Sequence, residues 1–186
     1  MRKLSVADYF VEFLIANGVT DVFGYQGGMI AYIFDSLGKY RDRIRYHSCA
    51  TEQGAALAAC GYAQSSGKLG VAISTSGPGF TNLITGIANA WFDSVPVLFV
   101  SGNVNTKDKK RDKPLRQLGF QEIQAASVAE KITKRTYEFE LDMDYVACLE
   151  DIYRTAMTAR KGPVYLDLPI NVCREQILFE DIQPVS

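Results

Sequence analysis

The sequence predicts an α/β fold, in which a parallel sheet of about five or six strands lies between α-helices on both faces. Two observations predict it. Strand-like and helix-like segments alternate along the first hundred residues, and the strand candidates, such as Val97–Val100, are apolar without interruption. Continuous apolar runs are typical of parallel strands that are covered on two sides. Right-handed crossovers then bring the carboxyl ends of the strands to one edge of the sheet.

The elements of the alternating region follow from apolar periodicity. Apolar residues recur at helical spacing from Val6 to Leu14, and Asn17-Gly18 supplies a glycine stop, so the first helix is expected there. The later elements are, in chain order, a strand at 22–25, a helix around 29–37, a strand at 45–48, a helix at 52–64, a strand at 70–75, a helix at 80–91 and a strand at 97–101.

The second half of the chain begins with a break in this alternation. Residues 103–114 carry five basic side chains without an apolar period, which predicts a long, solvated surface loop. A helix is expected over 145–160 and a last strand over 162–169. We assign residues 1–175 to one domain and residues 176–186 to a C-terminal tail or a linker to a missing domain.

Length, charge and composition limit the kinds of protein that this chain can be. The 186 residues suffice for one core, and a net charge of −1 favours neither a nucleic acid nor a membrane surface as a partner. No apolar run approaches the roughly 20 residues of a bilayer span, so we expect a cytoplasmic protein. Four cysteines without close pairs and a single histidine indicate buried, reduced thiols and no zinc site.

Glu52 is the residue that says most about function. It follows the strand at 45–48 and opens a helix of small residues, which places it at a strand's carboxyl end, where α/β folds bind ligands. Seen alone, it is more simply explained as a first-turn carboxylate that stabilises its helix through the macrodipole. The turn Gly77-Pro78-Gly79, with Ser76 as the expected N-cap, would let a flat ring approach the backbone, unless it is only a tight turn.

Three other features of the sequence do not by themselves indicate a catalytic or nucleotide-binding role. The glycines of the segment 24–28 do not have the spacing of the dinucleotide fingerprint. His47 is expected to be a structural residue at the end of a strand. The alanines at 55, 56, 58 and 59 and the small residues at 86, 88 and 90 permit close helix packing, either in the core or at a subunit boundary.

Six motifs, in order and at suitable spacing, resemble thiamine-diphosphate-dependent enzymes of the acetolactate synthase type, specifically their N-terminal pyrimidine-binding domain. The resemblance covers nearly the whole chain. The motifs are Gly24-Tyr25-Gln26-Gly27-Gly28, Glu52-Gln53-Gly54-Ala55-Ala56, Gly61-Tyr62-Ala63, Ser76-Gly77-Pro78-Gly79 with Asn82, Thr85 and Gly86, the stretch 90–96, and Gly119-Phe120-Gln121-Glu122.

The resemblance implies roles for these residues. Glu52 would exchange a proton with N1′ of the cofactor's pyrimidine ring, so that the cofactor's own imino group can act as the base. Burial raises the pKa of a carboxyl group, which suits this exchange. The catalytic residues implied are Glu52 and Gln121, the cofactor-binding residues are Glu52, Gly27, Gly28, Ser76, Gly77, Pro78, Gly79 and Asn82, and the substrate-side residues are Gln26, Phe120 and Gln121. An apolar packing role is the alternative for Phe120.

The chain also departs from the family. Gln26 stands where proline is usual, and Thr51 stands where acetolactate synthases commonly carry histidine. The Gly-Asp-Gly motif that holds Mg²⁺ and the cofactor's diphosphate does not occur in this sequence, so no metal ligand is assigned to this chain. The resemblance places that motif in a separate diphosphate-binding domain of the same or another chain.

The expected function is therefore shared with a partner. The resemblance implies thiamine diphosphate and Mg²⁺ as cofactors, a homodimer or higher oligomer, a small 2-keto acid substrate such as pyruvate, and no activity of this chain alone. Two alternatives stay open. The chain could be the small subunit of a split 2-keto acid decarboxylase, or a non-catalytic domain for dimerisation or regulation.

Overall fold

Six parallel strands form the main sheet of the computed structural model, which describes residues 2–185. They are Asp21–Gly24 (β2), Arg45–Ser48 (β3), Gly70–Ser74 (β4), Val97–Asn103 (β5), Arg135–Glu138 (β6) and Val164–Pro169 (β7). Their order across the sheet is β3-β2-β4-β5-β7-β6, and every neighbouring pair is parallel. The predicted fold class is confirmed. The sequence had not suggested β6, a four-residue edge strand with two exposed residues, one partly buried and one buried.

Helices cover both faces of the sheet. They are Val6–Ala16 (α1), Ala31–Lys39 (α2), Glu52–Ser66 (α3), Pro78–Phe92 (α4), Ala125–Ala129 (α5) and Tyr145–Met157 (α6), with 3₁₀ turns at Gly28–Ile30, Thr106–Asp108, Glu130–Ile132 and Val172–Arg174. The predicted helices are confirmed to within a few residues at their ends. None of the helices described over residues 2–185 is long and apolar enough to cross a membrane.

The sheet separates two apolar cores. On one face α1, α2 and α6 pack on strand residues such as Ile73, and on the other α3, α4 and α5 pack on residues such as Ala72. Neighbouring residues of one strand thus point into different cores. This explains why the central strands read as continuous apolar runs.

The small residues of α3 and α4 pack within the chain. A Cβ added at Gly86 would lie 2.3 Å from the Cβ of Ala56, so the two helices approach as closely as a glycine allows. Ala55, Ala59 and Ala90 are fully buried here, and the positions 58 and 88 are partly exposed. Core packing is therefore the correct alternative for the buried positions.

The two ends of the chain meet in a second, two-stranded sheet. Arg2–Ser5 (β1) pairs antiparallel with Gln176–Phe179 (β8), and the Phe179 ring contacts Tyr9 edge-on at 5.0 Å between centroids. The segment expected to be a tail thus begins with a strand that packs on α1. The division of the chain at residue 175 remains a prediction.

Two smaller expectations need correction. All four cysteines are free, but only Cys60 and Cys173 are buried, whereas Cys49 and Cys148 are partly exposed. In the basic segment 103–114, Lys109 is only 7% exposed, because three carboxylates surround its ammonium group. The prediction of a solvated loop is wrong for Lys109 and for the buried positions 103, 104 and 106, although residues 111–118 are exposed.

Candidate functional site

The candidate site lies at the carboxyl edge of the sheet, where the chain changes direction. From β2 the chain goes to β3 on one side, and then returns past β2 to β4 on the other side. The loops that follow β2, β3 and β4 therefore converge. Such a switch point is the usual ligand-binding crevice of an open parallel sheet.

Glu52 occupies the first position of α3 at this edge. Thr51 caps the helix, since its Oγ1 accepts a hydrogen bond of 3.0 Å from the backbone N–H of Gly54. Asn82 on α4 donates its side-chain amide to Oε2 of Glu52 at 3.0 Å. Among residues 2–185, no group hydrogen-bonds Oε1 of Glu52. One carboxylate oxygen is thus fixed, and the other is left able to accept a donor.

Glu52 is only partly buried in this chain, so the burial that would favour the proton exchange is incomplete here. Glu52 lies at the mouth of the crevice. Elements of this chain support it from α4 and from the turn after β4, but nothing in residues 2–185 covers it.

Glycines form the turns beside this carboxylate, at positions too crowded for a side chain. A Cβ at Gly79 would lie 2.8 Å from Cγ2 of Thr75 and 3.4 Å from Oε1 of Glu52. A Cβ at Gly27 would lie 2.4 Å from Cβ of Thr75, so the loop after β2 rests directly on the end of β4. The arrangement fits an aminopyrimidine, a flat ring whose N1′, once protonated, can donate a hydrogen bond to a carboxylate oxygen that has no other partner in residues 2–185.

The turn into α4 differs from the expectation in one respect. Gly77, and not Ser76, is the N-cap, and its φ of +56° is in the left-handed region that favours glycine. Ser76 is turned inward, and its buried Oγ has no hydrogen-bond partner in the described part of the chain. Pro78 is the first residue of the helix, two residues before the predicted start at position 80, and a missing N–H costs nothing there.

Gln121 reaches the same turn from a distant part of the chain. Its Cβ would lie 2.8 Å from a Cβ at Gly77, so only glycine fits there, and Gln121 itself has a φ of +58°. Phe120, next to it, is 70% exposed, so the alternative of apolar packing is wrong for this residue within the chain. The structure thus brings the fourth and sixth motifs into contact.

Two of the residues predicted for the site are less closely packed against the rest of it. Gln26 and Gly28 are exposed in the loop after β2, and the Gln26 side chain makes no hydrogen bond to any residue in the range 2–185. Sequence reasoning in turn overlooked Thr75, which contacts both Gly27 and Gly79. Its position directly after β4 was the available signal. His47 hydrogen-bonds Asp21 at 2.7 Å and stacks on Phe23, as expected of a structural residue.

Comparisons with known proteins point to one family. The family described as "Thiamine pyrophosphate enzyme, N-terminal TPP binding domain" matches residues 4–129. The chain is 38% identical over 178 residues to "Acetolactate synthase isozyme 2 large subunit" of Escherichia coli K12, which covers 96% of this chain and 30% of that protein. It is 41% identical over 184 residues to "Acetolactate synthase 1, chloroplastic" of Zea mays, covering 97% of this chain and 27% of that protein.

A third relative, "Acetolactate synthase large subunit" of Lactococcus lactis, is 40% identical over 171 residues, which are 92% of this chain and 28% of that protein. The chain therefore spans less than a third of the length of these curated relatives. The chain belongs to the thiamine pyrophosphate enzyme family, as an N-terminal TPP-binding domain of the kind found in acetolactate synthases.

Proposed function

We propose that this chain binds the aminopyrimidine of thiamine diphosphate in an enzyme that decarboxylates a 2-keto acid and joins the product to a second carbonyl compound. The observation that carries the proposal is the Glu52 carboxylate at the switch point, with Oε2 held by Asn82 and Oε1 open beside Gly79. The relatives are acetolactate synthases, and that name agrees with this reaction class.

Different residues of this chain would exchange the proton, orient the carboxylate and line the ring. Thiamine diphosphate, when bound, supplies the electron sink for loss of carbon dioxide. Glu52 would accept and return a proton at the pyrimidine N1′, and Asn82 keeps its carboxylate in one orientation. The glycines of the 27–28 and 77–79 turns and Ser76 would line the ring, because backbone without side chains can approach it closely.

The substrate side would be formed by Gln26, Phe120 and Gln121. Phe120 is largely exposed and the backbone of Gln121 is held in a strained conformation, both of which suit a surface completed by another molecule. A small 2-keto acid such as pyruvate fits this proposal.

A partner domain would complete the site. We propose that a diphosphate-binding domain, in the same or another chain, holds Mg²⁺ and the cofactor's diphosphate, that the enzyme is a homodimer or a higher oligomer, and that this chain alone is inactive. Support comes from the partial exposure of Glu52 and from Trp91 and Phe92, two exposed aromatic residues at the end of α4. Residues 176–186 would lead to further domains, and the free cysteines suit the cytoplasm.

The test is carbon dioxide release from pyruvate, measured on the complete enzyme or on this chain mixed with a diphosphate-binding partner. Activity that requires this chain, thiamine diphosphate and Mg²⁺ together, and that Glu52→Gln abolishes, supports the proposal. Glu130→Gln is the control, because it removes an exposed carboxylate far along the chain. No release under any pairing would instead support a non-catalytic domain for dimerisation or regulation. Activity only with a separately encoded partner would identify a split decarboxylase.

A further inference from the structure

Lys109 is a buried cation in the segment that leads to Gln121. Its Nζ lies 2.6 Å from Oε1 of Glu138, 3.4 Å from Oε1 of Glu140 and 3.7 Å from Oδ2 of Asp167. Asp167 belongs to β7 and Glu138 is the last residue of β6, whereas Glu140 follows that strand. Lys109 therefore ties an otherwise irregular segment to the rigid part of the fold.

The cluster sets one buried ammonium group against three carboxyl groups. Desolvation lowers the pKa of Lys109, but the attraction of Asp167 and the contacts with Glu138 and Glu140 outweigh it, so that its pKa is raised and the ammonium stays charged. A buried ammonium is strongly destabilising unless carboxylates pair with it. Asp167 is itself 2% exposed and accepts a hydrogen bond of 2.8 Å from Asn103. Displacing Lys109 would leave this buried carboxyl group without its cation.

The next residue continues the connection to Gln121. The backbone N–H of Lys110 donates to the Glu122 carboxylate, which also accepts the N–H of Leu118 at 2.7 Å and of Gly119 at 3.3 Å. The segment 109–122 is thus closed into a loop that begins at the Lys109 ion pairs and ends at Gln121. Gln121, in its left-handed conformation, then rests on the Gly77 turn.

We propose that Lys109 is a positioning residue of the candidate site, whose ion pairs with Glu138, Glu140 and Asp167 hold the segment 109–122 so that Gln121 stays against the Gly77 turn. That this turn belongs to a cofactor site rests on the proposed function. The positioning itself is a property of the chain and can be measured without cofactor. Arg111 also pairs with Glu140, but both side chains are solvated and such a pair contributes little.

Hydrogen–deuterium exchange on the 186-residue chain tests the proposal. In Lys109→Met, the backbone amides of residues 118–122 should exchange at least about tenfold faster, whereas those of β4 and α3 keep their rates. Lys107→Met is the matched control: it removes an exposed lysine of the same segment, for which residues 2–185 offer no ion pair, and should change nothing.

A double-mutant cycle separates positioning from general stability. If Glu138 acts through Lys109, then Glu138→Gln should speed exchange at 118–122 in the parent chain and add little further in Lys109→Met. Should Lys109→Met fail to fold, Glu138→Gln alone provides the same local measurement. Equal acceleration of all amides, or none at 118–122, would overturn the proposal.

In the complete enzyme, the KM for the 2-keto acid should rise several-fold in Lys109→Met and not in Lys107→Met. Faster exchange at 118–122 without any change in KM would retain the role of Lys109 in the loop and refute its link to substrate handling. The exchange result holds even if Glu52 proves not to bind thiamine, so the two proposals can fail separately.

Discussion

Asn82 and Glu52 are joined across two helices by a hydrogen bond of 3.0 Å from Nδ2 to Oε2. The bond connects the first turn of α3 to the second turn of α4, 30 positions apart in sequence. It leaves Oε1 of Glu52 on the side of Gly79, where a side chain would intrude. The carboxylate therefore has a defined orientation before any ligand is present.

Removing this bond should affect the chemistry more than the fold. Asn82→Ala deletes one hydrogen bond to a charged group at a solvated position, worth about 1.5 kcal/mol, which corresponds to roughly tenfold in rate. We expect exchange of the C2 proton of thiamine diphosphate in the complete enzyme to slow by about that factor. Gln64→Ala, which truncates an exposed amide at the other end of α3, is the control. Equal rates in Asn82→Ala and the parent enzyme would show that the bond does not orient Glu52.

The close contact between α3 and α4 predicts that two glycine substitutions change the stability of the chain in opposite directions. In Gly86→Ala the new methyl group would lie 2.3 Å from Cβ of Ala56 and 3.1 Å from its carbonyl carbon, so a helix must move. The free energy of unfolding in urea should fall by about 1–3 kcal/mol. Gly61→Ala on α3 meets no atom within 4 Å and should raise it by about 0.5–1 kcal/mol. Equal effects at the two positions would contradict the close packing.

Asp167 should make stability depend on pH. Burial raises its pKa from 3.8 to about 7, although Lys109 and Asn103 oppose the shift. The folded chain therefore holds a proton that the unfolded chain releases between about pH 4 and pH 7. Over this window the contribution of Asp167 to the free energy of unfolding falls as pH rises, by a few kcal/mol at most.

Asp167→Asn cannot titrate, so the free energy of unfolding of this variant should fall less between pH 4 and pH 7 than that of the parent chain. Denaturant unfolding at a series of pH values measures the difference. Parallel curves for the two proteins would mean that the pKa of Asp167 is the same in the folded and unfolded states.

Much of the site was predictable because its residues follow strands directly. The position of Glu52 depended only on recognising the strand at 45–48 and the helix that follows it. A turn at Gly77 could be predicted from the sequence, but the residue that caps α4 could not. Whether Ser76 or Gly77 caps α4 is decided by Gln121, 44 residues away from Gly77, which packs against that glycine.

The burial of Lys109 and the strand β6 could not be predicted from the local sequence pattern. Lys109 stands among exposed basic residues, and its partners are 29 to 58 positions further along the chain, so only the folded arrangement identifies it as buried. The strand β6 has four residues, of which only Tyr137 is buried, too short an alternation to recognise. In both cases tertiary contacts outweigh local sequence.

The central claim is that Glu52 activates thiamine diphosphate. The most direct measurement is the exchange rate of the cofactor's C2 proton, followed by NMR in the complete enzyme that carries Glu52→Gln, with Glu130→Gln as the control. Acid–base catalysis by a positioned side chain contributes about 10²–10⁴-fold. We predict a loss of at least about 100-fold in Glu52→Gln, with an unchanged circular dichroism spectrum and normal exchange in the control. An exchange rate equal to that of the parent enzyme would contradict the assignment.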